Sequence, residues 1–175
     1  MTNSYLLLAI ASGLAISAIP AIAQTASPIE TSIIGTGGAE IGKATLRGSP
    51  NGVVLRVQVK TGGLTPGWHG MHFHSVGDCS DLAGFTSAKA HINSGGKPHG
   101  LLGMDVAEAG DLPNLYGNAD GSANAEIIAA GLSLDGANSI RAGLGSALVI
   151  HAAEDDLSSQ PIGNSGKRIA CAVIK

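Results

Sequence analysis

The chain predicts an all-β fold, an antiparallel sandwich or barrel, and three observations carry that prediction. The run Val53-Val54-Leu55-Arg56-Val57-Gln58-Val59-Lys60 alternates with period two: Val53, Leu55, Val57 and Val59 face one way, Arg56, Gln58 and Lys60 the other. Other short β-prone runs recur between turn signals, and there is no heptad seam. The 175 residues include 26 glycines but only five aromatics, which suits turn-rich structure packed from Val, Ile, Leu and Ala. The glycines have no three-residue period, so a collagen-like chain is excluded.

Residues 1–23 read as a leader rather than as part of the fold. Tyr5 to Pro20 is nearly all apolar and uncharged, and it is followed by Ala21-Ile22-Ala23, a small-x-small cleavage pattern. Gln24 then begins the mature chain, and residues 24–175 form one domain. Residues 2–4 carry no Lys or Arg, so only the terminal amine supplies positive charge. The apolar run approaches the roughly 20 residues that span a bilayer, so an uncleaved anchor is the alternative. No contact with a membrane is expected once the leader is gone.

Within the domain, Asn51-Gly52 is a hairpin turn signal that makes Glu40 to Arg47 the partner of the run at 53–60. Trp68 to Ser75 reads as another strand. Ala123 to Leu134, Ala147 to Ala152 and Arg168 to Ile174 are three more. From Gly77 to Asp120 the periodicity fails in a stretch rich in Gly, Ser, Pro, Asn and Asp. A loop of that length inside a compact domain is usually functional.

Charge excludes further classes. Ten Lys and Arg against 13 Asp and Glu give a formal net charge of -3, without the clustered basic excess of a nucleic-acid binder. No block of five like charges marks a charged tail. An apolar content of 44% is too high for disorder. The two cysteines, Cys79 and Cys171, can form one disulfide in an oxidising compartment; two unrelated buried thiols are the alternative.

The histidines are the most informative feature. Five of the six lie between positions 69 and 99. His72 and His74, two apart on a strand, project from the same face, close enough to share a metal ion. His69 has the opposite parity and is expected to play a structural part. His91 and His99 lie in the long loop and Asp111 follows them, a plausible zinc set. His151 can bring another ligand from a distant strand, and Asp155 and Asp156 could orient ligating histidines. A lone histidine is more often a surface or core residue than a ligand; it is the joint placement that points to a metal site.

Four blocks, in order, resemble the copper/zinc superoxide dismutase family. They are His69-Gly70-Met71-His72-Phe73-His74 with Gly77-Asp78-Cys79-Ser80; Ala90-His91-Ile92-Asn93 with His99-Gly100; Gly110-Asp111-Leu112-Pro113-Asn114-Leu115; and Leu148-Val149-Ile150-His151 with Asp155-Asp156-Leu157 and the run Gly163 to Cys171. The Asp-Leu-Pro-Asn-Leu wording and the leader resemble the bacterial, periplasmic branch. The fold implied is a flattened eight-stranded Greek-key β-barrel with long metal-binding and electrostatic loops. This family is itself a standard example of that immunoglobulin-like sandwich architecture.

The resemblance implies copper and zinc as cofactors. It implies His72, His74, His91 and His151 as copper ligands, and His91, His99 and Asp111 as zinc ligands, with His91 bridging the two. Asp155 would link a copper-ligand histidine to a zinc-ligand histidine. Arg168 would attract the superoxide anion, His91 would carry a proton, and Cys79 with Cys171 would form the intrachain disulfide. Periplasmic superoxide dismutation, yielding O₂ and H₂O₂, is the implied function. A non-enzymatic copper-binding or copper-buffering protein on the same fold is the alternative. The chain leaves monomer and homodimer open.

One position departs from the pattern. The family's zinc site usually has a third histidine three residues before the aspartate, and Glu108 stands there. All six histidines already have family positions. Either Glu108 ligates zinc through oxygen, or the zinc site is weak.

Overall fold

The computed structural model describes residues 27–136 and 139–175, so the expected leader lies outside the described residues. The described residues form nine strands: β1 (Ile29–Gly35), β2 (Glu40–Ser49), β3 (Gly52–Val59), β4 (Gly67–His69), β5 (Met71–His74), β6 (Leu115–Gly117), β7 (Ala123–Ala129), β8 (Ser146–His151) and β9 (Arg168–Ile174). The described residues contain no α-helix, only a single 3₁₀ turn at Thr86–Ala88. Seven strands make one antiparallel sheet in the order β5-β8-β9-β1-β2-β3-β7, and β4 pairs with β6 in a separate ribbon.

The ribbon links the two edges of the large sheet. β4 runs into β5 through Gly70, whose amide donates to the Ala153 carbonyl and whose carbonyl accepts from the His151 amide. β6 leads into β7 through a tight turn closed by the Asn118 amide donating to the Ser122 carbonyl. Counting β4 and β5 as one interrupted strand gives the eight strands expected. The neighbours β9–β1, β5–β8 and β3–β7 are far apart in sequence, as Greek-key connections require.

The alternation at 53–60 holds: Val53, Leu55, Val57 and Val59 are buried, while Arg56 and Gln58 are exposed. They meet Ile33, Leu46, Phe73, Leu148, Ile150 and Ile174 in one aliphatic core. The hairpin turn falls on Pro50-Asn51, and Gly52 opens β3 opposite Ser49. Two strands escape the sequence reading. β1 carries adjacent Ile33 and Ile34 beside a register shift, which blurs its alternation. β6 is only three residues long, inside the irregular stretch. Ala123 to Leu134 stops being a strand at Ala129.

Candidate metal centre

β5 lies at the edge of its sheet, and the long loop is what covers that edge. The Phe73 amide donates to the Gly110 carbonyl and the Phe73 carbonyl accepts from the Ile92 amide, both at 2.8 Å. These bonds satisfy groups that an open edge leaves bare. They also set His91 against His74, and Asp111 against His72, as isolated bridges. Gly110 is required here, because a Cβ on it would stand 2.5 Å from the Phe73 carbonyl oxygen. In Asp111-Leu112-Pro113-Asn114-Leu115 the two leucines are buried in the core, which anchors the loop while Asp111 and Asn114 serve the site.

Four imidazoles gather where β5, β8 and the loop meet. His72, His74, His91 and His151 are all buried, with one ligand atom of each within 4.8 Å of the others. One nitrogen on every ring already has a partner. His74 Nδ1 donates to the Lys89 carbonyl at 2.8 Å, and His151 Nδ1 to the Gly166 carbonyl at 3.0 Å. His72 Nε2 donates to Asp155 Oδ2 at 2.6 Å, and His91 Nδ1 faces the Glu108 carboxylate. The remaining nitrogens, His72 Nδ1 and Nε2 of His74, His91 and His151, are buried with no hydrogen-bond partner. Buried polar atoms are rarely left unpaired, so four that converge fit a metal ion. Burial keeps three of the rings neutral: it lowers the pKa of His74 to about 2 and of His151 to about 3, and it lowers that of His72 despite the Asp155 bond. Neutral rings with one nitrogen donating leave a lone pair on the other, which is the ligand form.

A second group adjoins the first. His99 Nδ1 lies 2.8 Å from Asp111 Oδ1 and 3.3 Å from Glu108 Oε1. Asp155 ties the groups together, with Oδ1 accepting from His99 Nε2 at 3.2 Å and Oδ2 from His72. Burial resists ionisation of Asp155, but hydrogen bonds from His72, the Leu157 amide and His99 outweigh it and hold its pKa below the usual carboxylate value. A Cβ on Gly163 would fall 1.7 Å from Asp155 Oδ1, and the residue sits at φ +58. Asp111 is likewise held low: burial opposes, while His91, the Gly100 amide and His99 prevail. His99 is disfavoured as a cation by burial, yet Asp111 and Asp155 raise its pKa overall.

Arg168 reaches the same region from β9. Its Nη1 donates to the Phe85 carbonyl at 2.8 Å and its Nη2 to the Lys89 carbonyl at 2.7 Å, so Arg168 and His74 share the Lys89 oxygen. Phe85 and Lys89 flank the 3₁₀ turn at φ 51 and φ 66, unfavourable values for side chains of that size. The disulfide between Cys79 and Cys171 holds this segment on β9, where Phe85, Ala88, Ala147 and Val149 pack round Cys171 as a small second core.

The structure thus brings His72, His74, His91, His99, Asp111, His151 and Asp155 together, with Glu108 among them and Arg168 alongside. His69 lies apart, as its parity predicts: its Nδ1 donates to the His151 carbonyl at 2.7 Å. Asp156 does not orient a histidine; its carboxylate accepts from Ser158, Ser159 and Asn164 in an exposed turn. Two supporting residues had no role in the sequence reading. Asn114 bonds both the amide and the carbonyl of Asp155, and Gln160 does the same for His99. Asn114 lies inside a quoted motif, whereas nothing local marks Gln160.

Comparison with known proteins agrees with this geometry. Residues 40–174 match the family described as copper/zinc superoxide dismutase. A superoxide dismutase [Cu-Zn] from Caulobacter vibrioides is 46% identical over 150 residues, covering 83% of this chain and 84% of that protein. Superoxide dismutase [Cu-Zn] 2 from Aquifex aeolicus is 41% identical over 146 residues, covering 82% and 84%. Among solved structures, a double mutant of a SOD-like protein from Bacillus subtilis superposes with TM-score 0.78 at 33% identity, over 83% of this chain and 95% of that one. The Cu/Zn superoxide dismutase from Brucella abortus gives 0.69 at 28% identity, over 85% and 100%.

Proposed function

The chain belongs to the copper/zinc superoxide dismutase family and is a superoxide dismutase using copper and zinc, and we propose that His72, His74, His91 and His151 hold the copper while His91, His99 and Asp111 hold the zinc. The observation that carries this assignment is the set of four converging, unpartnered imidazole nitrogens, one from each copper residue. His72 also comes near the second group, but its Nε2 is committed to Asp155, which leaves Nδ1 for the first. His91 alone has one ring nitrogen in each group.

Bound copper supplies the one-electron cycle by which one superoxide is oxidised to O₂ and a second is reduced, with two protons, to H₂O₂. The protein's residues do the rest. Whenever it is not a metal donor, His91 Nε2 would hold a proton and hand it to the peroxide; the second proton comes from solvent. Asp155 fixes the tautomers of His72 and His99, and carbonyls fix those of His74 and His151. Arg168 places a cation beside the copper set, in a chain of formal net charge -3, where it draws in and positions the anionic substrate. Export to the periplasm, with cleavage before Gln24, fits the apolar leader and the disulfide.

Two measurements test this reading. Copper-loaded protein should remove superoxide and metal-free protein should not; a copper-loaded protein without activity would leave the copper-buffering alternative. Arg168→Ala should keep both metals yet lose about 10-fold or more in activity, together with its dependence on ionic strength. Steering of this size is an effect for which superoxide dismutase is itself a known case. Activity in Arg168→Ala matching the parent at every salt concentration would remove Arg168 from the assignment.

A further inference from the structure

We propose that Glu108 is the fourth zinc ligand, so that the zinc site is a centre of two imidazoles and two carboxylates. The proposal rests on the assignment of His91, His99 and Asp111 to zinc. Glu108 is buried, and its Oε1 lies 2.5 Å from His91 Nδ1 and 3.3 Å from His99 Nδ1. Asp111 Oδ1 lies 2.8 Å from His99 Nδ1 and 3.6 Å from His91 Nδ1. Zinc bonds of this kind run to ~2.0–2.2 Å, and tetrahedral placement then sets ligand atoms about 3.3 Å apart. The four distances bracket that spacing.

The backbone holds Glu108 there. The Asp111 amide donates to the Glu108 carbonyl at 3.1 Å, a turn that carries both carboxylates toward the same histidines. The Glu108 amide donates to the carbonyl of Pro98, the residue before His99. The second ring nitrogens and the second Asp111 oxygen are engaged elsewhere: His99 Nε2 by Asp155, Asp111 Oδ2 by the Gly100 amide at 2.7 Å, and His91 Nε2 in the copper group. Each of the two oxygens, Glu108 Oε1 and Asp111 Oδ1, thus lies within 3.6 Å of both Nδ1 atoms. Two buried carboxylates side by side are costly unless a cation compensates them. Two carboxylates match the charge of a divalent ion, whereas an imidazole in place of Glu108 would leave one carboxylate to offset it. Carboxylate oxygen is an accepted zinc donor.

The test uses full-length protein carrying copper and zinc. X-ray absorption at the zinc edge should find two imidazoles in the parent and three in Glu108→His. Chelator competition should show zinc affinity at least about 10-fold lower in Glu108→Gln and close to the parent's in Glu108→His. Equal zinc affinity in the parent and Glu108→Gln would overturn the proposal and leave Glu108 as a hydrogen-bond partner of His91. His99→Ala separates failure of the zinc assignment from failure of Glu108 alone. If it too keeps the parent's affinity, the assignment of zinc to this group has failed and the proposal fails with it; a drop there without one in Glu108→Gln rejects Glu108 alone.

Discussion

His72→Ala should abolish superoxide removal, by more than about 100-fold, and should also weaken zinc binding, although His72 is not assigned to zinc. The first effect follows from loss of a copper donor, which exceeds the 10–100-fold typical of residues that merely support a ligand. The second follows from Asp155. His72 Nε2 donates to Asp155 Oδ2 at 2.6 Å, and Asp155 in turn orients His99. Alanine leaves that carboxylate buried without its principal partner, a loss worth about 1–3 kcal/mol or more for a charged group. His151→Ala is the informative contrast. Its Nδ1 bonds the Gly166 carbonyl and makes no contact with Asp155, so activity should vanish while zinc affinity stays near the parent's. The two variants can be compared by superoxide assay and by zinc competition. Identical zinc affinities in both would show that Asp155 does not couple the two groups through His72.

Removing the disulfide should lower stability by about 2–5 kcal/mol, with the chain-entropy model placing a closure of this length at the upper end. The bridge spans 92 residues of separation and joins the loop to β9. For a domain of this size that corresponds to a fall in Tm of about 5–15 °C. Cys79→Ser combined with Cys171→Ala is the suitable variant, since alanine avoids burying a hydroxyl beside Ala147 and Val149. Activity should drop as well. The stapled segment carries the Phe85 and Lys89 carbonyls, which hold Arg168, and Lys89 also fixes the His74 tautomer. A melting temperature within about 2 °C of the parent would mean that the small core round Cys171 holds the loop unaided.

Much of this site was legible in the residues, for identifiable reasons. Strand parity separates His72 and His74 from His69 because alternate side chains point to opposite faces, whatever the rest of the fold does. The alternation at 53–60 marks β3 because one face is buried and the other wet. β1 was not legible because two isoleucines straddle a register shift. Gln160 was not legible because its partner is the backbone of His99, and amides of that sort occur anywhere on a surface.

The sequence by itself determined the metal chemistry: which side chains can donate, two on one strand and others on a glycine-rich loop, and one carboxylate standing at a position where a third histidine is usual. Motif and parity are local properties and survive without coordinates. Only the tertiary structure decided which nitrogen of each ring remains free, that Asn114 and Gln160 brace Asp155 and His99, and that Glu108 reaches His91 and His99. The loop can bring those atoms together because the bare edge of β5 pairs with its backbone, and backbone pairing between distant segments leaves no periodic trace in the chain.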